Sequence, residues 1–542
     1  MNNQLHTIPT RNNSDPTQLS ATQLIQHIAR GDISATEAVE AHIARIEQVN
    51  PQLNAVVVKR YDAARSEARA ADERRKAGDA VGLLHGLPVT IKDSLDLTDT
   101  PSTFGLPSRA NHRASKDEPH VARLRQAGAI PLGKTNVAQL LFYYESANPV
   151  YGQTNNPWNP ARTPGGSSGG EAAIIAVGGS PLGLGTDLGG SVRVPATFSG
   201  IASLKPTTGR TPDLGRFSVP LGQRAIQSQV GVLARQVEDV ALGLEVINGG
   251  RNPTHEPAMP LGDFRNVDVS QLRVAYYSDD GTFAPAPAVQ RAMREAAEAL
   301  RSHGAQVTAW QPPHADQGMD LLYGIFSADG GALMQTMLGK DKRAPQIAQL
   351  LTALRLPRSV VRAAVGLLHA LGQKGTANGL RAFGYKDTAH YWQLVEAQLD
   401  YQSRFQDALD HDKGGPFDVI LAPVSPLPAF LHGNSRELLS AGAYACLYNV
   451  LGYPAGVVPF TRVRKDEEVG RKSSGDMVEK VALKTEQGSA GLPIGVQVIA
   501  RPWREHVALA AMCALERLAQ ARADFPQTPL TTNFTVPPAR HS

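Results

Sequence analysis

Apolar residues recur along the chain in two rhythms, one helical and one of short continuous runs. Ser20-x-x-Gln23 and Ser34-x-x-Glu37 are capping boxes that open two helices. Gly31 is expected to stop the first and Asn50-Pro51 the second. Arg60 to Gly78, rich in Ala, Arg and Glu, reads as a third helix. Leu87 to Ile91 is then an apolar, strand-like run. Glu118 to Ala127 reads as a helix ended by Gly128, with a strand from Ala129 to Leu132. Leu272 to Tyr277, Ala288 to Ser302 and Gln306 to Trp310 form a strand–helix–strand unit, with Pro287 where a helix tolerates proline. Strands are also expected at 417–422, 453–459 and 491–497, and a closing helix at 505–521. This alternation predicts an α/β architecture with helices covering a sheet.

One stretch breaks both rhythms. Pro164 to Arg193 reads PGGSSGGEAAIIAVGGSPLGLGTDLGGSVR. Glycines permit positive φ and close backbone approach at a cost in chain entropy, so packing alone rarely calls for so many together. Ala172 to Val177 suits a short buried helix ended by Gly178-Gly179, and Leu182 to Leu184 an inner strand. Loop, helix, strand and loop would bring Ser167 and Ser191 together.

A serine is a poor nucleophile until a base takes its proton. No histidine lies between Tyr151 and Arg210, and the nearest suitable base upstream is Lys92, at the end of the Leu87 to Ile91 run. A lysine of ordinary pKa ~10.4, carried into the interior by a strand, finds a carboxylate or loses its proton. Gly165-Gly166-Ser167-Ser168-Gly169 also fits the G-x-S-x-G elbow of other hydrolases, but that elbow needs a preceding strand, and Pro157, Pro160 and Pro164 argue against one. The chain has no G-x-x-x-x-G-K-[ST] phosphate loop, and Gly183-x-Gly185 lacks the third glycine of a dinucleotide fingerprint.

These residues resemble the amidase signature family. The resemblance implies a Ser–Ser–Lys triad with Ser191 as nucleophile, Ser167 as bridging serine on a cis peptide, and Lys92 as base. It implies an oxyanion hole from the N–H groups of Leu188, Gly189, Gly190 and Ser191. Ser168 would fix the loop by hydrogen bonds, and Asp187 and Arg193 would form an ion pair beneath the site. It extends from about Ser20 to Arg522 and narrows toward the fatty acid amide hydrolase branch on Asn148 to Trp158, Leu447 to Pro459 and Pro502-Trp503. That branch implies a large mixed β-sheet between helical layers and amide substrates with long acyl chains. Leu141, Phe142 and Tyr144, in an apolar and aromatic cluster, then become candidates for the substrate channel, against ordinary core packing. The expected layout is a flexible arm at 1–19, a single catalytic domain at 20–525 and a loose tail at 526–542.

The segment Lys342 to Lys386 carries cations, including Arg355, Arg358 and Arg362, among apolar residues, and no acid. Pro357 is expected to break it into two helices. It is similar to the membrane-facing cap of fatty acid amide hydrolases. A membrane surface, the core and a second subunit of a homodimer all remain open as its setting. Arg462 to Ser489, charged and glycine-bearing, reads as an exposed excursion.

Composition adds bounds. With 42% hydrophobic and 19% charged residues over 542 positions, the chain is globular. A net charge of +4 does not indicate nucleic acid, and Cys446 and Cys513 read as buried free thiols. The polar start MNNQLHTIPTRNNSDPT shows no signal peptide, and no run is long enough to span a bilayer, so a cytoplasmic protein, soluble or peripheral on a membrane, is expected. No metal cluster is evident, and no organic cofactor is required. The expected activity is hydrolysis of apolar acyl or aryl amides, with esters and carbamates open. The rivals are the amidase subunit of a glutamine-dependent amidotransferase and a non-catalytic ligand- or membrane-binding homologue.

Overall fold

The computed structural model describes residues 15–212, 223–248, 259–472 and 474–529. Thirteen strands are present among them: β1 (Val56–Lys59), β2 (Pro88–Lys92), β3 (Ile130–Thr135), β4 (Ala147–Asn148), β5 (Gly152–Gln153), β6 (Leu182–Asp187), β7 (Ala202–Lys205), β8 (Gln229–Ala234), β9 (Arg273–Tyr276), β10 (Gln306–Ala309), β11 (Val419–Pro423), β12 (Ala455–Arg462) and β13 (Pro493–Ala500). β4 and β5 form a small ribbon. The other eleven form one mixed sheet in the order β1-β3-β2-β6-β8-β7-β12-β13-β11-β9-β10. Its central strands β2, β6, β8, β12 and β13 are almost wholly buried, as strands covered on both faces must be.

Both capping boxes form, with each serine hydroxyl accepting from the N3 amide and the N3 side chain reaching back. Gly31 ends the first helix at φ 81°. The second runs past Asn50-Pro51 to Leu53 and ends on left-handed Asn54, whose N–H donates to the Asn50 carbonyl. Proline disfavours helical geometry in the residue before it, yet here it costs only part of the last turn while Ile46, Val49 and Leu53 stay buried. The strand–helix–strand unit forms as expected, with β9 and β10 parallel around the helix Pro287–Ser302.

Three other expectations change. Residues 15–19 are not a loose arm, because Asp15 caps a short turn and Thr17 is buried; 1–14 and 530–542 lie outside the described residues. The segment 342–386 folds as three helices, Pro345–Leu354, Arg358–Ala370 and Lys374–Leu380. Pro357 caps the second, and Gly372, at φ 74°, separates it from the third. The segment 462–489 is only partly exposed. Its helix Met477–Glu486 buries Val478, Ala482, Thr485 and Glu486, and Arg471 pairs with Glu479 and Glu486 of that helix while donating to the Ala284 carbonyl outside the segment.

Candidate active site

β2 lies parallel to β6, with Thr90 opposite Gly183 and Ile91 opposite Leu184. Their carboxyl ends therefore finish side by side, where α/β sheets place their ligands. Lys92 closes β2 and is fully buried. Its Nζ is 2.8 Å from Ser167 Oγ, 2.8 Å from Thr186 Oγ1 and 3.2 Å from the Thr186 carbonyl. Thr186 was not singled out in the sequence, although it sits inside the Gly185-Thr186-Asp187 stretch; only the register of two strands distant in sequence turns it toward Lys92.

Ser167 follows a cis Gly166–Ser167 peptide, in the turn before the buried helix Gly169–Ala176. Gly166 has no room for a side chain, since a Cβ there would lie 2.4 Å from the Tyr143 carbonyl. The loop after β6 carries Ser191, and the Ser168 N–H donates to the Ser191 carbonyl at 3.1 Å, joining the two serine loops. It is thus the backbone of Ser168 that makes this tie. Its hydroxyl is buried without a hydrogen-bond partner among the described residues.

Beneath the loop, Arg193 and Asp187 form a fully buried pair at 2.9 Å. The Arg193 guanidinium also donates to the Ala445 carbonyl, Gln497 Oε1 and Asn449 Oδ1, so the nucleophile loop is bound to the helix Ala443–Val450 and to β13. Burial alone would raise the Asp187 carboxyl, but Arg193 and its other donors hold it well below the usual range. Asp187 Oδ1 also accepts the Gly190 N–H at 2.8 Å. That amide, one of the four expected to face an oxyanion, is therefore already engaged. The N–H groups of Leu188, Gly189 and Ser191 have no acceptor among the described residues.

A second buried carboxyl lies near the base. Glu171 accepts from the hydroxyls of Thr90 and of Thr135, the latter at 2.6 Å. Burial pushes it up to about 7, against the pull of those hydroxyls and of Lys92.

Ser191 opens into an apolar cavity of about 110 Å³. Leu141, Phe142 and Tyr144 line it together with Leu322, Phe326 and Phe383. Leu322 and Phe326 come from the helix Ala315–Phe326 and Phe383 from the loop after the helix Lys374–Leu380; none was legible as a site residue, because an apolar residue looks alike in sequence whether it faces a core or a channel. Phe142 also borders two adjoining cavities of about 390 and 250 Å³.

Comparison with known proteins shows the family. The family profile described as Amidase fits residues 37–509, and "Fatty-acid amide hydrolase 1" of Sus scrofa is 34% identical over 92% of this chain and 86% of its own. The chain belongs to the amidase signature family. "Indoleacetamide hydrolase" of Bradyrhizobium diazoefficiens is also 34% identical, over 93% of this chain and 87% of its own. The solved structure titled "Fatty acid amide hydrolase" superposes on this amidase with a TM-score of 0.81 at 25% identity, covering 95% of this chain and 87% of that one. As a family member the chain is a serine amidohydrolase acting on carbon–nitrogen amide bonds. No described helix of the amidase is long and apolar enough to cross a membrane.

Proposed function

We propose that this amidase hydrolyses amides of long apolar acyl groups through an acyl-enzyme on Ser191. The relatives do not choose the acyl group, since a fatty-acid amide hydrolase and an indoleacetamide hydrolase are equally identical to the chain. The observation that carries the reading is the cavity: Ser191 faces a wall made almost wholly of carbon, and that space adjoins further cavities past Phe142. Apolar acyl carbons gain roughly 0.8 kcal/mol for each methylene taken out of water, whereas glutamine, the amidotransferase substrate, has few methylenes and carries an ammonium and a carboxylate that the wall does not pair.

Lys92, in its neutral form, takes a proton from Ser167 as Ser167 takes one from Ser191. Ser191 Oγ bonds to the amide carbon, and the carbonyl electron pair moves onto oxygen, toward the amides of Leu188, Gly189 and Ser191. The proton returns through Ser167 to the nitrogen as the C–N bond breaks, because an amide anion is a poor leaving group. Water then enters by the same route in reverse and releases the acid. No step requires a metal or organic cofactor.

The test is a panel of primary amides from acetamide to palmitamide, with phenylacetamide and indoleacetamide alongside, for wild type and Ser191→Ala. Rising kcat/KM with chain length, lost in the variant, supports the reading. A preference for acetamide or the aryl amides sets the long-acyl assignment aside.

A membrane surface is the second partner we propose. The helix Arg358–Ala370 and its end expose Val360, Leu367 and Leu371, and Lys342, Arg343, Arg355, Arg362 and Lys374 are exposed nearby in sequence. Two cations of the segment have partners in the fold instead: Arg381 pairs at the surface with Asp316 and Asp320, and buried Lys386 donates to Ser327 and two carbonyls.

A further inference from the structure

The peptide between Gly189 and Gly190 is held at both ends. Its N–H is taken by Asp187, as described above. Its carbonyl accepts from the Tyr144 hydroxyl at 2.8 Å and lies 3.4 Å from Cys446 Sγ, while Tyr144 Oη and Cys446 Sγ are 3.3 Å apart. Both side chains are buried, Tyr144 at 8% exposure and Cys446 at 2%. The approach is tight. A Cβ on Gly442 would lie 2.1 Å from Tyr144 Oη, and one on Gly190, at φ 101°, would lie 2.7 Å from Ala445 Cβ. This peptide sits between the Gly189 and Ser191 N–H groups, two of the three left to receive an oxyanion.

We infer that Tyr144, with Cys446 beside it, is a positioning residue for acyl transfer: its hydroxyl clamps the Gly189 carbonyl and so fixes the direction of the flanking oxyanion-binding amides. Tyr144 thus has a role beyond lining the cavity. The inference rests on acyl transfer at Ser191 as proposed above. Physical chemistry favours the arrangement. Glycine peptides are the most mobile available, and an oxyanion hole stabilises charge without reorganisation only if its donors already point the right way. Tyr144 is also suited to be a constant donor. Burial raises its phenol well above the ordinary value, and burial pushes the Cys446 thiol up to about 11, so both keep their protons at physiological pH. The phenol proton goes to the carbonyl, and the thiol donates to that same carbonyl or to the phenol oxygen.

The test separates ground-state from transition-state binding. A dodecyl trifluoromethyl ketone adds to Ser191: the Oγ–C bond forms, the carbonyl pair becomes an oxyanion, and the serine proton passes toward Lys92. The matching methyl ketone fills the cavity without that charge. Tyr144→Phe removes one oxygen and keeps the ring. The expected result is about a tenfold loss in kcat and in trifluoromethyl ketone affinity, the size one hydrogen bond commands, with KM and methyl ketone affinity within twofold of wild type. Equal weakening of both ketones would make Tyr144 a cavity wall only, and no change in either would remove the clamp; both outcomes overturn the inference. If Tyr144→Phe does not fold, Cys446→Ala and Cys446→Ser carry the same comparison. Alanine should weaken the trifluoromethyl ketone selectively and serine should not, and identical behaviour of the two overturns the inference. A wild type that forms no adduct on Ser191 removes the acyl-transfer reading and this inference with it, whereas an adduct that Tyr144→Phe leaves equally tight removes the inference alone.

Discussion

Lys92 Nζ and Ser167 Oγ are 2.8 Å apart in a fully buried setting, although 75 residues separate them in the chain. In the proposed relay Ser167 is the hydroxyl through which the lysine reaches the nucleophile. Ser167→Ala should therefore lower amide kcat on the order of 10²-fold, and Lys92→Ala on the order of 10³-fold, as removal of general acid–base groups does. Esters should suffer less, since their leaving group needs less protonation. Amide and ester rates measured side by side check this, and an unchanged amide rate in Lys92→Ala excludes the relay.

Arg193 and Asp187 should be needed for folding before they are needed for chemistry. Arg193→Met leaves a fully buried carboxylate that still accepts the Gly190 and Val192 N–H groups. Breaking a buried pair from one side costs about 3–5 kcal/mol. The variant should show that loss in the chemical denaturation midpoint, and a shift under about 1 kcal/mol would mean that Asn449, which donates to the Asp187 carboxylate, holds the loop without the ion pair.

Phe142 stands where three cavities meet and packs edge-on against Phe326, with ring centroids 6.4 Å apart. Phe142→Ala should open the first chamber to the others. The longest acyl amides should gain in kcat/KM relative to eight-carbon ones by several-fold, each extra buried methylene bringing roughly 0.8 kcal/mol. A uniform loss across chain lengths would assign Phe142 to packing.

His42, buried in the helix Ala35–Leu53, should make the fold sensitive to mild acid. Burial lowers its pKa from 6.5 to about 4, with Arg235 adding to the effect and the Ala38 carbonyl and Asp15 opposing it. Below pH 6.5 the unfolded chain binds a proton that the folded chain refuses, so stability falls with pH until about pH 4. The loss should reach about 2 kcal/mol by pH 5. Denaturation midpoints at pH 7.5 and pH 5 should differ less in His42→Leu than in wild type.

The face carrying Val360, Leu367 and Leu371 should bind vesicles containing anionic lipid, more weakly at high salt, with each cation near the surface adding about 1 kcal/mol. Leu367→Asp/Leu371→Asp should abolish co-sedimentation while leaving hydrolysis of a soluble short-chain amide unchanged. A wild type that stays in the supernatant at low salt sets the membrane proposal aside.

Local chemistry was legible in the residues themselves. Capping boxes, the glycine at the end of the first helix, proline at the start of Pro287–Ser302 and the buried apolar strands act through neighbours a few residues away, so their consequences need no distant partner. The glycine and serine stretch and Lys92 were identifiable because that combination has few uses in a packed chain. What the tertiary structure decided is everything carried by pairing between remote segments. Parallel register of β2 with β6 set Thr186 against Lys92. The fit of helix Ala443–Val450 against the nucleophile loop set the Gly189 carbonyl against Cys446, and Tyr144 reaches the same carbonyl from a third segment. Packing of the helix Ala315–Phe326 and of the loop after Lys374–Leu380 turned Leu322, Phe326 and Phe383 into a channel wall. A side chain's facing depends on the strand or helix that lies against it, and apolar spacing carries no label for that neighbour.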